Sequence, residues 1–414
     1  MIMPNNWKTY NLGDIAQFSQ GIQVSVDDQK REPFSNSVRF IRIVDFSKGD
    51  SSEIRYISNP GDRYLVEEDD LVMIRYGSQT AGKIAKGFKG AIANNMFKVV
   101  SDKTVLNKNF LYYYLSSNSV REYFNASQAS STMPAITFGM IGSLKIIIPE
   151  SLPEQRAIAS IFSSLDDKIE LNLQMNKTLE EMAMTLYKHW FVDFGPFKDG
   201  KFIDSELGLI PEGWEVKRLE DFIDLNPRLS LPKGTEASFV EMKALPTNAM
   251  SVSIIDRKVF NGGMKFQNGD TLFARITPCL ENGKTAFVDF LFDNEIAFGS
   301  TEFLVMRAKH GVSKYWTYCL SRDYNFRKFS ISTMVGTSGR QRVQNGPFLS
   351  FEIAKPPKTV FDLFTEQVEH WFTQIRHNTI ENQTLTNLRD TLLPKLISGE
   401  VRVKEAEQTV AEVL

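Results

Sequence analysis

From Ile158 the chain places Phe162, Leu165, Ile169, Asn172, Asn176, Leu179, Ala183, Leu186 and Trp190 at alternating steps of four and three. That spacing is a heptad seam, the signature of a helix packed lengthwise against another helix. A second seam runs through Val368, Phe372, Ile375, Asn378 or Thr379, Asn382, Leu385, Leu388 or Arg389, and Leu392. Each seam carries two asparagines in its middle, Asn172 with Asn176 and Asn378 with Asn382. An amide at a core position costs stability but fixes register and partner, so these four are the candidate register-setting residues. As one helix, residues 154–191 would span about 57 Å at 1.5 Å per residue. Pro153 marks its start and Gly195-Pro196 its far end. The second helix is expected to stop or kink at Leu392-Leu393-Pro394, leaving residues 398–414 as a frayed acidic tail.

Outside the seams the period changes. Val38 to Val44 alternates and is β-branched, as a half-buried strand should be, and Leu71–Ile74, Ala91 to Val100 and Leu144 to Ile148 also read as strands. Gly, Asn and Asp clusters such as Asn261-Gly262-Gly263 and Asn268-Gly269-Asp270 separate such runs. Asn109 to Phe124 has helical spacing with Asn109 as its cap, and Lys314 to Phe329 is its partner further on. The partner exists because the chain repeats itself. Trp7 to Ile15 returns as Trp214 to Phe222, Glu68 to Arg75 as Asn268 to Arg275, and Gly82 to Ala85 as Gly283 to Ala286. Tyr113 to Ser116 returns as Tyr318 to Ser321, and Glu154-Gln155 as Glu366-Gln367. Matches in one order at offsets of about 200–212 residues mean two copies of a whole domain plus a helix. The predicted division is 1–150, a helix in 151–196, 197–357, a helix in 358–397, and a tail at 398–414. The predicted fold class is α+β: two tandem, similar α/β domains separated by two long helices that form an antiparallel coiled coil.

Composition narrows the function. With 42% apolar residues and 31 Phe, 12 Tyr and 5 Trp, the chain can build a real core. No apolar run approaches the roughly 18 residues of a membrane span, and no signal-like stretch opens the chain. Two cysteines cannot make a disulfide framework, so a cytoplasmic location without a membrane partner is expected. Cys319 lies in an aromatic helical stretch and is expected to be a buried thiol. Net charge is −2, but it alternates by segment: +2, −3, +2 and −3 for 1–150, 151–196, 197–357 and 358–414. Without a basic tail, any DNA binding must use local clusters.

The helical segments carry Leu152-Pro153-Glu154-Gln155-Arg156-Ala157-Ile158-Ala159, Leu165-Asp166-Asp167-Lys168-Ile169-Glu170-Leu171-Asn172 and Met175-Asn176-Lys177-Thr178-Leu179-Glu180. His189-Trp190-Phe191-Val192-Asp193-Phe194, Leu209-Ile210-Pro211-Glu212-Gly213-Trp214 and Leu392-Leu393-Pro394-Lys395-Leu396-Ile397-Ser398-Gly399-Glu400-Val401 follow. Together these resemble the specificity subunit of type I restriction–modification systems. The resemblance covers the whole chain, and it is specific in the helices and loose in the globular copies. It implies two target recognition domains held apart by two antiparallel helices. The implied partners are double-stranded DNA, two methyltransferase (modification) subunits and restriction/translocase subunits. S-adenosylmethionine, ATP and magnesium are then expected on those partners, with no cofactor on this chain. The implied DNA target is asymmetric and split, with a non-specific gap of about five to eight base pairs for half-sites one helical turn apart. One departure stands out: Phe364-Thr365-Glu366-Gln367 replaces the Leu-Pro-Glu-Gln opening, and the second helix is six residues short between Gln367 and Asn378. The two helix starts are therefore expected to be inequivalent.

No complete catalytic constellation is present. Gly77-Ser78-Gln79-Thr80-Ala81-Gly82-Lys83-Ile84 has the spacing of a phosphate loop but puts Ile84 where a hydroxyl should hold magnesium. The second copy has Gly283-Lys284-Thr285 but places Pro278 at the first glycine position, and Asn282-Gly283 reads as a hairpin turn. Glu241-Met242-Lys243 and Asn226-Pro227-Arg228 are fragments of nuclease and methyltransferase motifs, and no histidine sits at zinc spacing. DNA-reading candidates are better formed. Gly336-Thr337-Ser338-Gly339-Arg340-Gln341-Arg342 combines permissive glycines with arginine and glutamine, the bidentate readers of guanine and adenine. Ser130-Ser131-Thr132-Met133-Pro134 holds the matching place in the first copy. Arg75, Tyr76 and Gln79 with Lys83 and Lys86, and in the second copy Arg275 with Lys284, could face the same grooves. The alternatives are a duplicated-domain coiled-coil scaffold or regulator that binds protein, or a nucleotide-dependent enzyme using the glycine–lysine turns. Salt-dependent DNA affinity and ATP binding separate these readings.

Overall fold

The computed structural model describes residues 6–48, 53–77, 80–127, 135–252, 254–337 and 339–412. They form two compact units, one of 1–168 with 384–414 and one of 169–383, so each long helix contributes to both. The same topology is built twice. In the first unit one four-stranded sheet runs Ala16–Gln20, Met96–Ser101, Leu71–Ile74, Ile84–Ala85, and a second runs Tyr56–Ser58, Ser37–Ile41, Gly90–Ile92, Leu65–Val66. In the second unit the same orders recur as Ile223–Leu225, Phe303–Ala308, Thr271–Ala274, Thr285–Phe287 and as Asp256–Val259, Glu236–Val240, Ala297–Gly299, Met264–Phe266. Each copy has one parallel pair at the corresponding place, Phe40 with Ala91 and Phe239 with Phe298. Each is closed by an antiparallel pair from its two ends, Trp7–Asn11 with Lys145–Pro149 and Glu215–Arg218 with Glu352–Lys355.

The β-branched alternation of Ser37–Ile41 forms a strand as expected, but helix Ile43–Lys48 follows at once. Ala91 to Val100 is two strands, Gly90–Ile92 and Met96–Ser101, joined by a turn. The single helix expected from Asn109 is two. Lys108–Ser116 is capped by Asn107, whose side chain accepts from Asn109 N and Phe110 N, and the extended Ser117 separates it from Asn118–Ser127. Lys314–Arg322, capped by Ser313, and Tyr324–Ser332 repeat that break at Asp323. Apolar spacing continues across each break, so periodicity alone does not register it. The caps also align the copies 206 residues apart here, which sets Tyr112 rather than Tyr113 opposite Tyr318.

The first long helix is Leu152–Tyr187, continued by a wider π-helical turn over Lys188–Val192 that buries Phe191. The second is Lys358–Ile397. It does not stop at Pro394: Leu392, Leu393, Leu396 and Ile397 are buried, and that packing carries the helix past the lost hydrogen bond. Both helix starts and both asparagine pairs are 206 residues apart, so the expected six-residue shortfall does not exist. Gln155 corresponds to Phe361, not Gln367. Gln155 is fully buried, donating to the carbonyls of Val105 (2.9 Å) and Pro149 (2.8 Å) and accepting from Asn107 N. Gln367 is exposed. The tail is also ordered: helix Val403–Ala411 buries Ala406 and Val410, one turn apart, and Arg402 pairs with Glu154 at 3.7 Å.

Within each unit the long helices run in opposite directions past one another. In the first, Asp166 meets Arg389 at 2.8 Å. In the second, Asn172 donates to Asn382 Oδ1 at 2.9 Å and to Glu381 at 2.7 Å, and Asn378 donates to Asn176 Oδ1 at 2.8 Å. Asn172 and Asn378 are buried. Each amide therefore faces an amide, which is how a polar layer rewards one register. The helices are also part of the second unit's core, where Tyr187, Phe191, Phe361, Phe364 and Phe372 pack with Trp214, Phe222 and Trp316. Cys319 is fully buried there, and burial pushes its thiol up, as expected of a structural cysteine.

Candidate nucleic-acid interface

The two candidate surfaces rest on one backbone frame. In the second unit Arg275 N donates to Glu302 O, Val343 N donates to Arg275 O, and Ile276 bridges Arg342. In the first unit Arg75 N donates to Asn95 O, Ile136 N donates to Arg75 O, and Tyr76 bridges Ala135. The frame thus equates Arg75 with Arg275, Asn95 with Glu302, and Ala135 with Arg342. The segment 130–134, read from sequence as the match to the loop before Arg342, lies outside the described residues. Ser131, Thr132, Gln79 and Ser338 lie outside the described residues.

In the second unit the loop is the tip of a hairpin, with Met334–Val335 paired to Arg342–Val343. Gly336 and Gly339 have φ of +139° and +78°, which only glycine adopts without strain, and a Cβ on Gly336 would meet Arg340 O at 2.8 Å. Arg340 N closes a turn on Thr337 O. Thr337 and Arg340 are exposed, whereas Gln341 is half-buried with its carbonyl held by Thr277 N (3.1 Å) and Thr277 Oγ1 (3.3 Å). The Arg342 guanidinium lies against Glu302, with Nε at 2.9 Å from both carboxylate oxygens and Nη2 at 2.7 Å from Oε1. Arg275 is half-buried and turns Nη2 onto Val343 O, and Lys284 donates to Met242 O at 2.8 Å. Both of these cations are thus engaged within the fold.

In the first unit Lys83 is exposed at the end of the turn, and Lys86 sits 4.5 Å from the Tyr112 ring centroid. Arg75 lies 5.0 Å from the Tyr76 ring centroid. Lys89, next along this run, pairs with Glu67 at 2.9 Å. The phosphate-loop-like stretch links strand Leu71–Ile74 to its antiparallel neighbour Ile84–Ala85. A phosphate loop instead leads from a strand into a helix whose N-terminus faces the anion. Thr80 N and Ala81 N both donate to Gly77 O, inside the turn. The second copy's turn is longer than a two-residue hairpin: Gly283 is left-handed (φ +75°), but ten residues separate the paired strands Thr271–Ala274 and Thr285–Phe287. Glu302 and Thr277 escaped the sequence reading. Aligning the copies strand by strand would have exposed Glu302, because Asn94-Asn95 precedes one strand where Thr301-Glu302 precedes its equivalent. No group of three or more His, Cys, Asp or Glu among the described residues could hold a metal, and no described helix is long and apolar enough to cross a membrane.

Residues 4–181 match the family model described as the type I restriction modification DNA specificity domain. The chain is 27% identical to the type I restriction enzyme MjaIX specificity subunit of Methanocaldococcus jannaschii, over 97% of this chain and 95% of that one. It is 24% identical to the HindI specificity subunit of Haemophilus influenzae, over 96% and 100%. The fold matches the crystal structure of the type I S subunit from M. genitalium with a TM-score of 0.56 at 14% identity, over 96% of this chain and 97% of that one. The chain is thus similar over nearly its whole length to specificity subunits of type I restriction–modification systems, and its residues 4–181 match the DNA specificity domain of those systems.

Proposed function

We propose that this chain reads DNA sequence for a type I restriction–modification complex and scaffolds its modification and restriction subunits. Each unit reads a short half of an asymmetric, split duplex target, and the helix pair joins the two. The observation that carries this reading is the shared frame with unlike side chains. Asn95 and Ala135 in one copy stand where Glu302 and Arg342 stand in the other. One scaffold presenting different edges suits two different half-sites. S-adenosylmethionine, ATP and magnesium belong to the partner subunits in this reading, and the complex works in the cytoplasm. Binding of the full chain to randomised duplexes tests it. Selective, salt-dependent binding is expected, and Arg340→Ala should lower affinity by about 1–3 kcal/mol if it touches a base. If Arg340 touches a phosphate, the variant should weaken all sequences alike and shallow the salt slope. Absence of any sequence preference would reject the reading in favour of a protein-binding scaffold.

A further inference from the structure

Among the cations of the second candidate surface, Arg342 is held in a distinctive way. Its Nε–H and one Nη2–H point at Glu302, at 2.7–2.9 Å. A guanidinium has five N–H donors in one plane. The side edge is therefore occupied, and the end edge, made by Nη1 and the second Nη2–H, remains. No hydrogen bond among the described residues engages Nη1. The Arg342 side chain is 46% exposed, and that of Glu302 is 23% exposed. The backbone is fixed as well, because Ile276 bridges Arg342 and Thr277 holds the preceding carbonyl.

Resting on the DNA-reading role proposed above, we propose that Glu302 is a positioning residue that presents the end edge of Arg342 to a guanine in the half-site read by the second unit. Two parallel N–H donors at that edge match the O6 and N7 acceptors of guanine. The carboxylate fixes the fork before binding, so less side-chain freedom is lost on contact. It also cancels the charge. A neutralised arginine adds little to phosphate attraction, which depends on net positive charge, but it still donates to an uncharged base edge. The exposed Arg340, two residues away, has no such carboxylate partner among the described residues and suits a phosphate better. The first unit has Asn95 and Ala135 in these places, so its half-site should lack this guanine.

The test is enrichment of randomised duplexes by the full chain, comparing the parent with Glu302→Gln, Arg342→Lys and the double variant. The parent should select guanine at one position. Arg342→Lys should lower that preference roughly tenfold to a hundredfold, because lysine lacks the fork. Glu302→Gln is isosteric and should loosen the same position by about three- to tenfold, leaving the other positions unchanged. The double variant should be no worse than Arg342→Lys. If the variants weaken every sequence equally, or leave the preference intact, the pair only ties the hairpin and the proposal falls. A parent chain with no sequence preference would instead reject the DNA-reading role itself, a different outcome.

Discussion

The two junctions between globular copy and long helix use the same chemistry drawn from different positions. In the first unit Tyr113 donates to Asp166 at 2.9 Å, and Arg389 of the second long helix donates to the other carboxylate oxygen at 2.8 Å. In the second unit Tyr318 donates to Glu180, and Arg322, from the same short helix as Tyr318, completes the cluster. By the 206-residue alignment, Asp166 corresponds to Phe372 and Arg389 to Ala183, both buried in the apolar core. Phe372 packs at 4.5 Å from Tyr315 and 5.4 Å from Phe287, ring centre to ring centre. The interhelical ion pair of one unit is thus an aromatic cluster in the other. With the helix seam dry, the tyrosine finds its carboxylate on the other long helix, at Glu180 one turn before Ala183, and the arginine must come from the domain. Arg322 replaces Ser116, whose hydroxyl merely caps Tyr112 O.

The largest expected consequence follows from what each arginine serves. The Arg322 side chain is 8% exposed and donates to the carbonyls of Thr247 (3.0 Å), Gly283 (3.1 Å), Ala249 and Thr285 as well as to the cluster. Arg322→Ala leaves Glu180 with Tyr318 but no cation, and several carbonyls without their donor, so it should cost about 3–5 kcal/mol. Tryptophan emission reads this well, because Trp190, Trp214, Trp316 and Trp371 lie in the second unit and only Trp7 in the first. A denaturant midpoint for that signal that hardly moves would show that the carbonyl clamp is not what joins loop to helix.

The asparagine layer comes next. From sequence, replacing Asn172 and Asn176 with leucine should keep stability and loosen register. The geometry sharpens this, since each amide faces another. Asn172→Leu alone takes the donor away from Asn382 Oδ1 in the buried layer, a loss of about 1–3 kcal/mol. Replacing all four asparagines should restore stability while allowing wrong registers or oligomers, read by cross-linking and size. A single substitution as stable as the parent would mean that the layer sets nothing.

Asp289 offers an effect of opposite sign in the same unit. Its Oδ2 is shut away without a hydrogen bond, and burial pushes its carboxyl up to about 7 although Arg376 and Lys314 pull it down. The neighbouring Tyr315 hydroxyl is raised in part by the Asp289 charge. The folded state therefore holds a proton between about pH 4 and 7 that the unfolded state has lost, and stability falls as pH rises through that window. Asp289→Asn should match the parent near pH 4 and gain about 1–2 kcal/mol above pH 7. A gain independent of pH would show that packing, not charge burial, is responsible.

How far the sequence reaches is clear from particular residues. The seams, the four asparagines, the antiparallel pair and the duplicated fold were legible, because burial along a helix imposes a period that composition cannot hide. The equivalence of Arg75 with Arg275 was legible as well, by their order in the repeat. Glu154-Gln155 and Glu366-Gln367 misled, since identical letters stand at different depths: Gln155 is buried and bonded, and Gln367 is exposed. The C-terminal helix was missed because only Ala406 and Val410 are buried, too small an apolar face to stand out. Glu302 and Arg322 were invisible because their partners lie 40 or more residues away or are backbone atoms, which carry no letter.

The smallest expected effect closes the comparison at the first junction. Arg389 and Asp166 side chains are 30% and 32% exposed, and Arg389 also reaches Asp390. Water can replace what Arg389→Ala removes, so the carboxylate is not abandoned in an apolar site. Such a half-exposed pair contributes about 0.5–1 kcal/mol. Tyr113 still donates to Asp166 in the variant, and Phe162 keeps its contact with the Tyr113 ring at 5.2 Å. Raising salt should narrow the gap between variant and parent, because a solvated pair is screened, while the deficit of Arg322→Ala should change little. Trp7 emission, isolated in a background where the other four tryptophans are phenylalanine, would follow the first unit alone. If Arg389→Ala proved as costly there as Arg322→Ala in its own unit, exposure would not be what separates the two junctions. The position of the arginine, on the helix pair or on the domain, would then be incidental.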